Sequence, residues 1–178
     1  MYKKLNVSYF TQLDNLLEPY GTCNMTSLAM CMAYFGIHGD ESMPQLEYQL
    51  TKKCFNDGLD RHDPATLVKL CTWKKLKDNF SFNTSWESIR KSIEKGNPVI
   101  IHGYFTRSGH IVVIKGYNDG SYAGKGAWIV NDPYGEYTLG GYVHGPGRGD
   151  GVLYSYELMK RLCSPDGSLW AHIIYKEG

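Results

Sequence analysis

PYGTCNMTSLAM, residues 19–30, starts a helix on a cysteine. A Tyr-Gly-Thr turn comes first and Cys23 follows. From Asn24 onward Met25, Leu28, Ala29, Met32 and Phe35 recur at helical spacing until Gly36 supplies a stop. A cysteine deep in a helix packs as a small hydrophobe. A cysteine on the first turn lies at the positive end of the helix dipole, where a thiol pKa can fall from about 8.5 into the range of roughly 3.5–7.5. This one stretch therefore sets the first helix and marks a reactive side chain.

Working outward, helical segments come first and strands after. SMPQLEYQLTKKC (residues 42–54) opens with Ser42 and Pro44 and runs helical to about Cys54. HDPATLVKLCTWKKL (62–76) takes Asp63 as N-cap and Pro64 as its first helical residue. TSWESIRKSIEKGN (84–97) reads as a capping box from Thr84 and Glu87 and ends at Gly96. PVIIHGYF (98–105), GHIVVIKGY (109–117), AWIVNDP (127–133) and LWAHIIYK (169–176) are short apolar runs bounded by Gly, Pro, Asn or Asp, and read as strands. SYELMKRLC (155–163) is a short helix capped by Ser155. The order predicts an α+β fold, N-terminal helices packed on a mainly antiparallel sheet, as a single domain over residues 1–178. YGEYTLGGYVHGPGRGDG (134–151) is too long for an ordinary connection. It is either a functional loop lining a substrate groove or a mobile one.

Composition narrows the function. A formal charge of +1 gives no field that would point to nucleic acid or an anionic membrane. No apolar run approaches the roughly 20 residues that span a bilayer, and the N-terminus lacks the apolar region of a signal peptide. The expectation is a protein that is cytoplasmic as synthesised. The cysteines number five, an odd count, without CxxC pairs or zinc-finger spacing, so neither a disulfide framework nor a structural zinc is expected. Leu13 to Asn15, with Asp40 and Glu41, offers oxygen ligands for calcium but no EF-hand pattern, and no metal or cofactor is assigned. The Arg-Gly-Asp tripeptide at residues 148–150 is short enough to arise by chance.

A nucleophilic cysteine needs a base, and the base needs a partner that holds its ring. Among the histidines, His110 follows a Ser-Gly turn at the mouth of the strand GHIVVIKGY. His102 and His172 read as structural or surface residues within strands; His38, His62 and His144 fall in polar loops. The strand WIVNDP ends at Asp132. If it pairs with the His110 strand as a hairpin, its end returns beside His110, where a carboxylate fixes the tautomer. Asn-Asp-Pro is equally a plain turn signal. Gln12, in YFTQLDN, carries a neutral amide donor suited to an oxyanion, or is simply an exposed polar residue. Cys31, Cys54, Cys71 and Cys163 read as buried hydrophobes.

YFTQLDN, YGTCNMTSLAM, GHIVVIKGY and WIVNDPYGEY, in that order, resemble the papain-like cysteine peptidases, and within them the C39-like branch. The resemblance implies a papain-like fold, Cys23 as nucleophile, His110 as base, Asp132 as its orienting residue and Gln12 as oxyanion donor. Many relatives carry Gly-Pro after the cysteine, where this chain has Asn24-Met25. Bacteriocin-processing relatives are fused to transporters. Stand-alone sequences of this pattern are similar to phage and bacterial proteins, some resembling cell-wall endopeptidases. The resemblance implies a peptide substrate, with peptidoglycan peptides, as for a phage endolysin, the leading candidate; the alternatives are a protein or leader peptide, transfer to an amine, or a catalytically silent peptide-binding module. The oligomeric state is left open.

Overall fold

A computed structural model describes residues 1–178. The chain runs β1 (Tyr2–Lys4), α1 (Cys23–Tyr34), α2 (Leu46–Asp57), α3 (Pro64–Trp73), β2 (Lys77–Ser81), α4 (Trp86–Glu94) and β3 (Val99–Gly103). It continues with β4 (His110–Asn118), β5 (Ala127–Asn131), β6 (Glu136–Thr138), β7 (Gly141–Val143), β8 (Val152–Ser155), α5 (Tyr156–Cys163) and β9 (Ala171–Tyr175). The main sheet has seven strands in the order β2-β9-β3-β4-β5-β8, with β1 added to β4. Every pairing within it is antiparallel. The expected α+β class, with helices against an antiparallel sheet, is what forms.

Helix α1 packs on β4 and α2. All residues from Asn24 to Met32 are buried, so this helix is covered on every side, not on one stripe. Burial of side chains such as Leu28 and Met32 contributes about 1.5–3 kcal/mol each relative to exposure. That rigidity matters because the helix begins at Cys23. Pro64 and Asp63 open α3 as the sequence predicts, with Asp63 accepting from the Ala65 N–H at 2.9 Å.

Two helix starts differ from expectation. Helix α2 begins at Leu46, after Pro44, because Ser42 is held in a turn on Asp40 and not as a cap. Helix α4 is capped by Ser85, whose Oγ accepts from the Ser88 N–H at 3.0 Å. The backbone N–H of Thr84 is spent on the Leu169 carbonyl, and Glu87 pairs forward with Lys91 at 2.7 Å. The sequence also hides β2, which interrupts the helical half and pairs with β9 at the sheet's edge. An edge strand half open to water does not need an apolar run, and KDNFS has none. The long segment after Asp132 is folded in part as the β6-β7 hairpin.

The β4-β5 hairpin decides the site. Its strands pair from Asn118 opposite Ala127 back to Val113 opposite Asn131, with an irregularity between Ile114 and Gly116. His110 opens β4 and Asp132 follows the last residue of β5, so antiparallel pairing brings the two to the same end. Lys115, at that irregularity, is buried and donates to the Val7 carbonyl at 3.1 Å and to Asp150 at 2.8 Å. No helix is long and apolar enough to cross a membrane.

Candidate active site

Cys23 is the first residue of α1 and is partly exposed. Thr22, the N-cap, does not cap: its hydroxyl donates to the Glu18 carbonyl at 3.0 Å and accepts from Asn15 at 2.6 Å. The first N–H groups of a helix have no intrahelical acceptor. With the cap turned away, the Cys23 N–H stays free at the positive end of the helix dipole. Asn24 turns its amide away: Oδ1 accepts the Met25 N–H and Nδ2 donates to the Arg61 carbonyl.

The pKa of the Cys23 thiol is lowered by the neighbouring His110, whose Nε2 lies 2.8 Å from Asp132 Oδ1. Because Nε2 faces the carboxylate, Nδ1 is the nitrogen left for the sulfur. Burial pushes the Cys23 thiol up; the hydrogen bond and charge of His110, with the Ile111 and Asn24 N–H groups, outweigh it and bring the thiol below its usual 9.0. For His110, burial opposes the charged form, but the charge and hydrogen bond of Asp132, then of Cys23, raise it from 6.5 to about 10. Both shifts favour the thiolate–imidazolium form of the pair. The other four thiols are buried, and burial pushes each of them up. Cys23 alone is held towards thiolate.

Asp132 is fully buried and its oxygens are fully used. Oδ1 accepts from His110 and from the Tyr134 N–H at 3.1 Å; Oδ2 accepts from the hydroxyls of Tyr142 at 2.8 Å and Tyr154 at 2.9 Å. Its backbone is fixed too, with N–H to the Gly149 carbonyl at 2.8 Å and C=O from the Tyr9 hydroxyl at 3.0 Å. Both Tyr142 and Tyr154 hydroxyls are held far above the usual phenol value, first by burial and then by the Asp132 charge, so they remain donors. The sequence reading of residues 134–151 thus resolves in favour of the site. The tripeptide at 148–150 is consumed structurally: Arg148 pairs with Glu136 at 3.4 Å, Gly149 backs Asp132 and Asp150 holds Lys115. Tyr142 and Tyr154 escaped the sequence reading, because tyrosine is abundant here and no spacing ties these two to Asp132.

Gln12 is buried, not an exposed polar residue. It opens a short 3-10 turn, its backbone N–H donates to the Pro133 carbonyl at 2.8 Å and its Nε2 donates to the Pro19 carbonyl at 2.9 Å. It therefore bridges the loop before Cys23 and the residue after Asp132. An amide nitrogen has two donors, so one N–H of Nε2 is left over. Asn15 is turned onto α1 and Asp40 onto its own loop, so the oxygen-bearing residues near position 14 do not converge. No three His, Cys, Asp or Glu side chains are grouped to hold a metal ion.

Residues 4–163 match the model of the Peptidase C39-like family. The chain belongs to that family. As a member it is a cysteine peptidase, a hydrolase. Solved structures agree on the fold. A Bacillus anthracis protein assigned to the C39-like peptidases is 19% identical, with full coverage of both chains and a TM-score of 0.63. A double-glycine motif protease from an AMS/PCAT transporter, solved with its leader peptide, is 22% identical, with 96% of this chain and 94% of that one covered and a TM-score of 0.60. UfSP from C. elegans is 13% identical at a TM-score of 0.59, and only 35% of that chain is covered. A comparison with curated proteins gave no match.

Proposed function

We propose that Cys23 is the nucleophile of this C39-like peptidase, His110 its acid–base partner, Asp132 the residue that orients His110, and Gln12 an oxyanion donor. The observation that supports this most directly is the His110 ring held on the buried Asp132 at 2.8 Å, beside a thiol at the start of α1 whose pKa His110 lowers. The thiolate attacks the carbonyl carbon; a C–S bond forms and the carbonyl electron pair moves to oxygen. The Cys23 N–H and the spare N–H of Gln12 receive that charge. The oxyanion collapses, the C–N bond breaks, and His110 gives its proton to the leaving nitrogen. Water then loses a proton to His110 and attacks the thioester, releasing the acid and returning the thiolate.

The substrate in this reading is a peptide, foremost the peptide of peptidoglycan. The protein is then made in the cytosol and meets the wall when cells lyse, as a phage endolysin does. The alternative is a protein or leader peptide, supported by the leader peptide bound to a relative of similar fold. A silent binding module is disfavoured by a thiol held below its usual value beside a protonated imidazole. Purified peptidoglycan sacculi and a double-glycine leader peptide are incubated with wild type and with Cys23→Ala, and the products are weighed by mass spectrometry. New amine termini from sacculi with wild type alone support the cell-wall substrate. Cleavage of the leader peptide alone moves the substrate to the second class. Equal products from both proteins reject Cys23 as nucleophile.

A further inference from the structure

A cavity of 260 Å³ opens beside His110. Its wall includes His110, His102, Tyr104, Cys163, Asp166 and Trp170, but not Cys23. It lies between the β3-β4 turn and the segment joining α5 to β9. A base that protonates the leaving nitrogen must stand beside it. A cavity walled by the base and not by the nucleophile is therefore positioned for the part of the substrate that begins at that nitrogen. At about 30 Å³ per water, it has room for a long side chain.

Asp166 is the one carboxylate in its wall. Asp166 Oδ1 is taken by the N–H and hydroxyl of Ser168, at 3.0 and 2.8 Å, while Oδ2 has no protein partner. Under the cavity runs a buried chain of three residues. Asp78 Oδ2 lies 2.7 Å from His172 Nδ1, and His172 Nε2 lies 3.0 Å from His102 Nε2. A carboxylate only accepts, so His172 carries its proton on Nδ1. Burial and the neighbouring His172 hold His102 down to about 3, so it stays neutral. Asp166 Oδ2 thus remains as an acceptor for a ligand, beside a neutral His102 ring. Trp170 and Tyr104 are 39% and 64% exposed and offer aromatic faces beside them. A carboxylate with aromatic faces suits a cation that also donates hydrogen bonds.

We infer that this cavity is a leaving-side subsite selecting a cationic side chain of the lysine type, through Asp166 as acceptor and Trp170 as an aromatic wall. The inference rests on the proposed roles of Cys23 and His110 for its side of the scissile bond, but not for its ligand chemistry. Two measurements separate these. Full-length Cys23→Ala protein, labelled with ¹⁵N, is titrated with n-butylammonium, and with butanol and butyrate as neutral and anionic controls of equal length. The indole signal of Trp170, assigned with Trp170→Phe, should move with butylammonium alone, and Asp166→Asn should weaken that binding about tenfold. Equal response to butanol, or no effect of Asp166→Asn, overturns the cation subsite whatever the enzyme cleaves. In the second measurement, wild type and Asp166→Asn, matched for Tm, digest a peptide library. Enrichment of Lys at the first leaving-side position, lost in Asp166→Asn, supports the assignment. Cys23-dependent cleavage with the preference elsewhere, or with none, refutes the leaving-side position; absence of any Cys23-dependent cleavage rejects the catalytic reading instead.

Discussion

Asp132→Asn removes a charge while keeping the shape, and the surroundings decide which way the new amide points. Three groups other than His110 donate to the Asp132 carboxylate: the Tyr134 N–H on Oδ1 and the two tyrosine hydroxyls on Oδ2. A hydroxyl can rotate and accept; a backbone N–H cannot. The amide oxygen therefore takes the Oδ1 position, facing Tyr134 and His110, and the amide nitrogen donates to the turned hydroxyls. His110 keeps its proton on Nε2 and its Nδ1 towards Cys23, so the tautomer survives. What is lost is charge. At 2.8 Å and an effective dielectric of 20, the attraction of Asp132 for the imidazolium is on the order of 6 kcal/mol. If half of that is replaced by the amide's dipole, the His110 pKa should fall from about 10 by roughly two pH units, or about 2.7 kcal/mol. The assay is kcat/KM against pH, paired with the rate of Cys23 alkylation, which no other thiol obscures because the other four are buried. The alkaline limb should move down by about two pH units, and the roughly 2.7 kcal/mol of lost imidazolium stabilisation sets an upper bound of about 100-fold on the loss at neutral pH. That is well short of the roughly 10⁴ found where the wrong tautomer is imposed in a Ser-His-Asp triad. An unmoved alkaline limb would refute Asp132 as the source of the imidazolium's stability, and a 10⁴-fold loss would refute the orientation argument.

Other outcomes follow from the same geometry. Gln12→Ala should lower kcat by about 10²–10³ with KM little changed, measured on the same substrate, if its amide serves the oxyanion. Gly149→Ala would set a Cβ 1.9 Å from the Asp132 carbonyl oxygen and 2.6 Å from the Tyr9 hydroxyl. The backbone behind the triad must then shift, at about 1–3 kcal/mol by urea unfolding, with a fall in kcat. Tyr142→Phe should lose about 1.5–3 kcal/mol of stability, and adding Tyr154→Phe should cost more than the sum of the singles, because the second change strips the last partner from the buried oxygen Oδ2 of a charged carboxylate. Glu47 is buried and burial raises its carboxyl from 4.5 to about 7. The folded chain holds that proton longer than the unfolded one, so stability falls as pH rises from 4.5 to 7. Glu47→Gln should therefore remove that slope and gain on the order of 3 kcal/mol at pH 8 relative to pH 4; equal unfolding midpoints for the two proteins across this range would contradict it.

What was legible in the sequence was whatever one segment decides by itself. The cysteine at a helix start, the apolar β4 and β5 runs, and the turn residues between them state their own conformations locally, and a hairpin between β4 and β5 brings His110 and Asp132 together without further information. Gln12 was legible as a donor but not as buried, because its burial depends on Pro133 and Pro19 closing over it from two directions. The edge strand β2 was not legible, since its partner β9 lies at the far end of the chain and an edge makes little demand for apolar residues. Nor were the donors on Asp132 Oδ2, which come from β7 and β8 across a Gly-rich segment whose local pattern allows many paths. Local periodicity and capping thus determined the helices and the central strands, and singled out the one cysteine at a helix start. Only the tertiary structure decided which side chains converge on Asp132, because a buried carboxylate takes its partners from whatever the packed chain brings within 3 Å, and separation along the sequence carries no record of that.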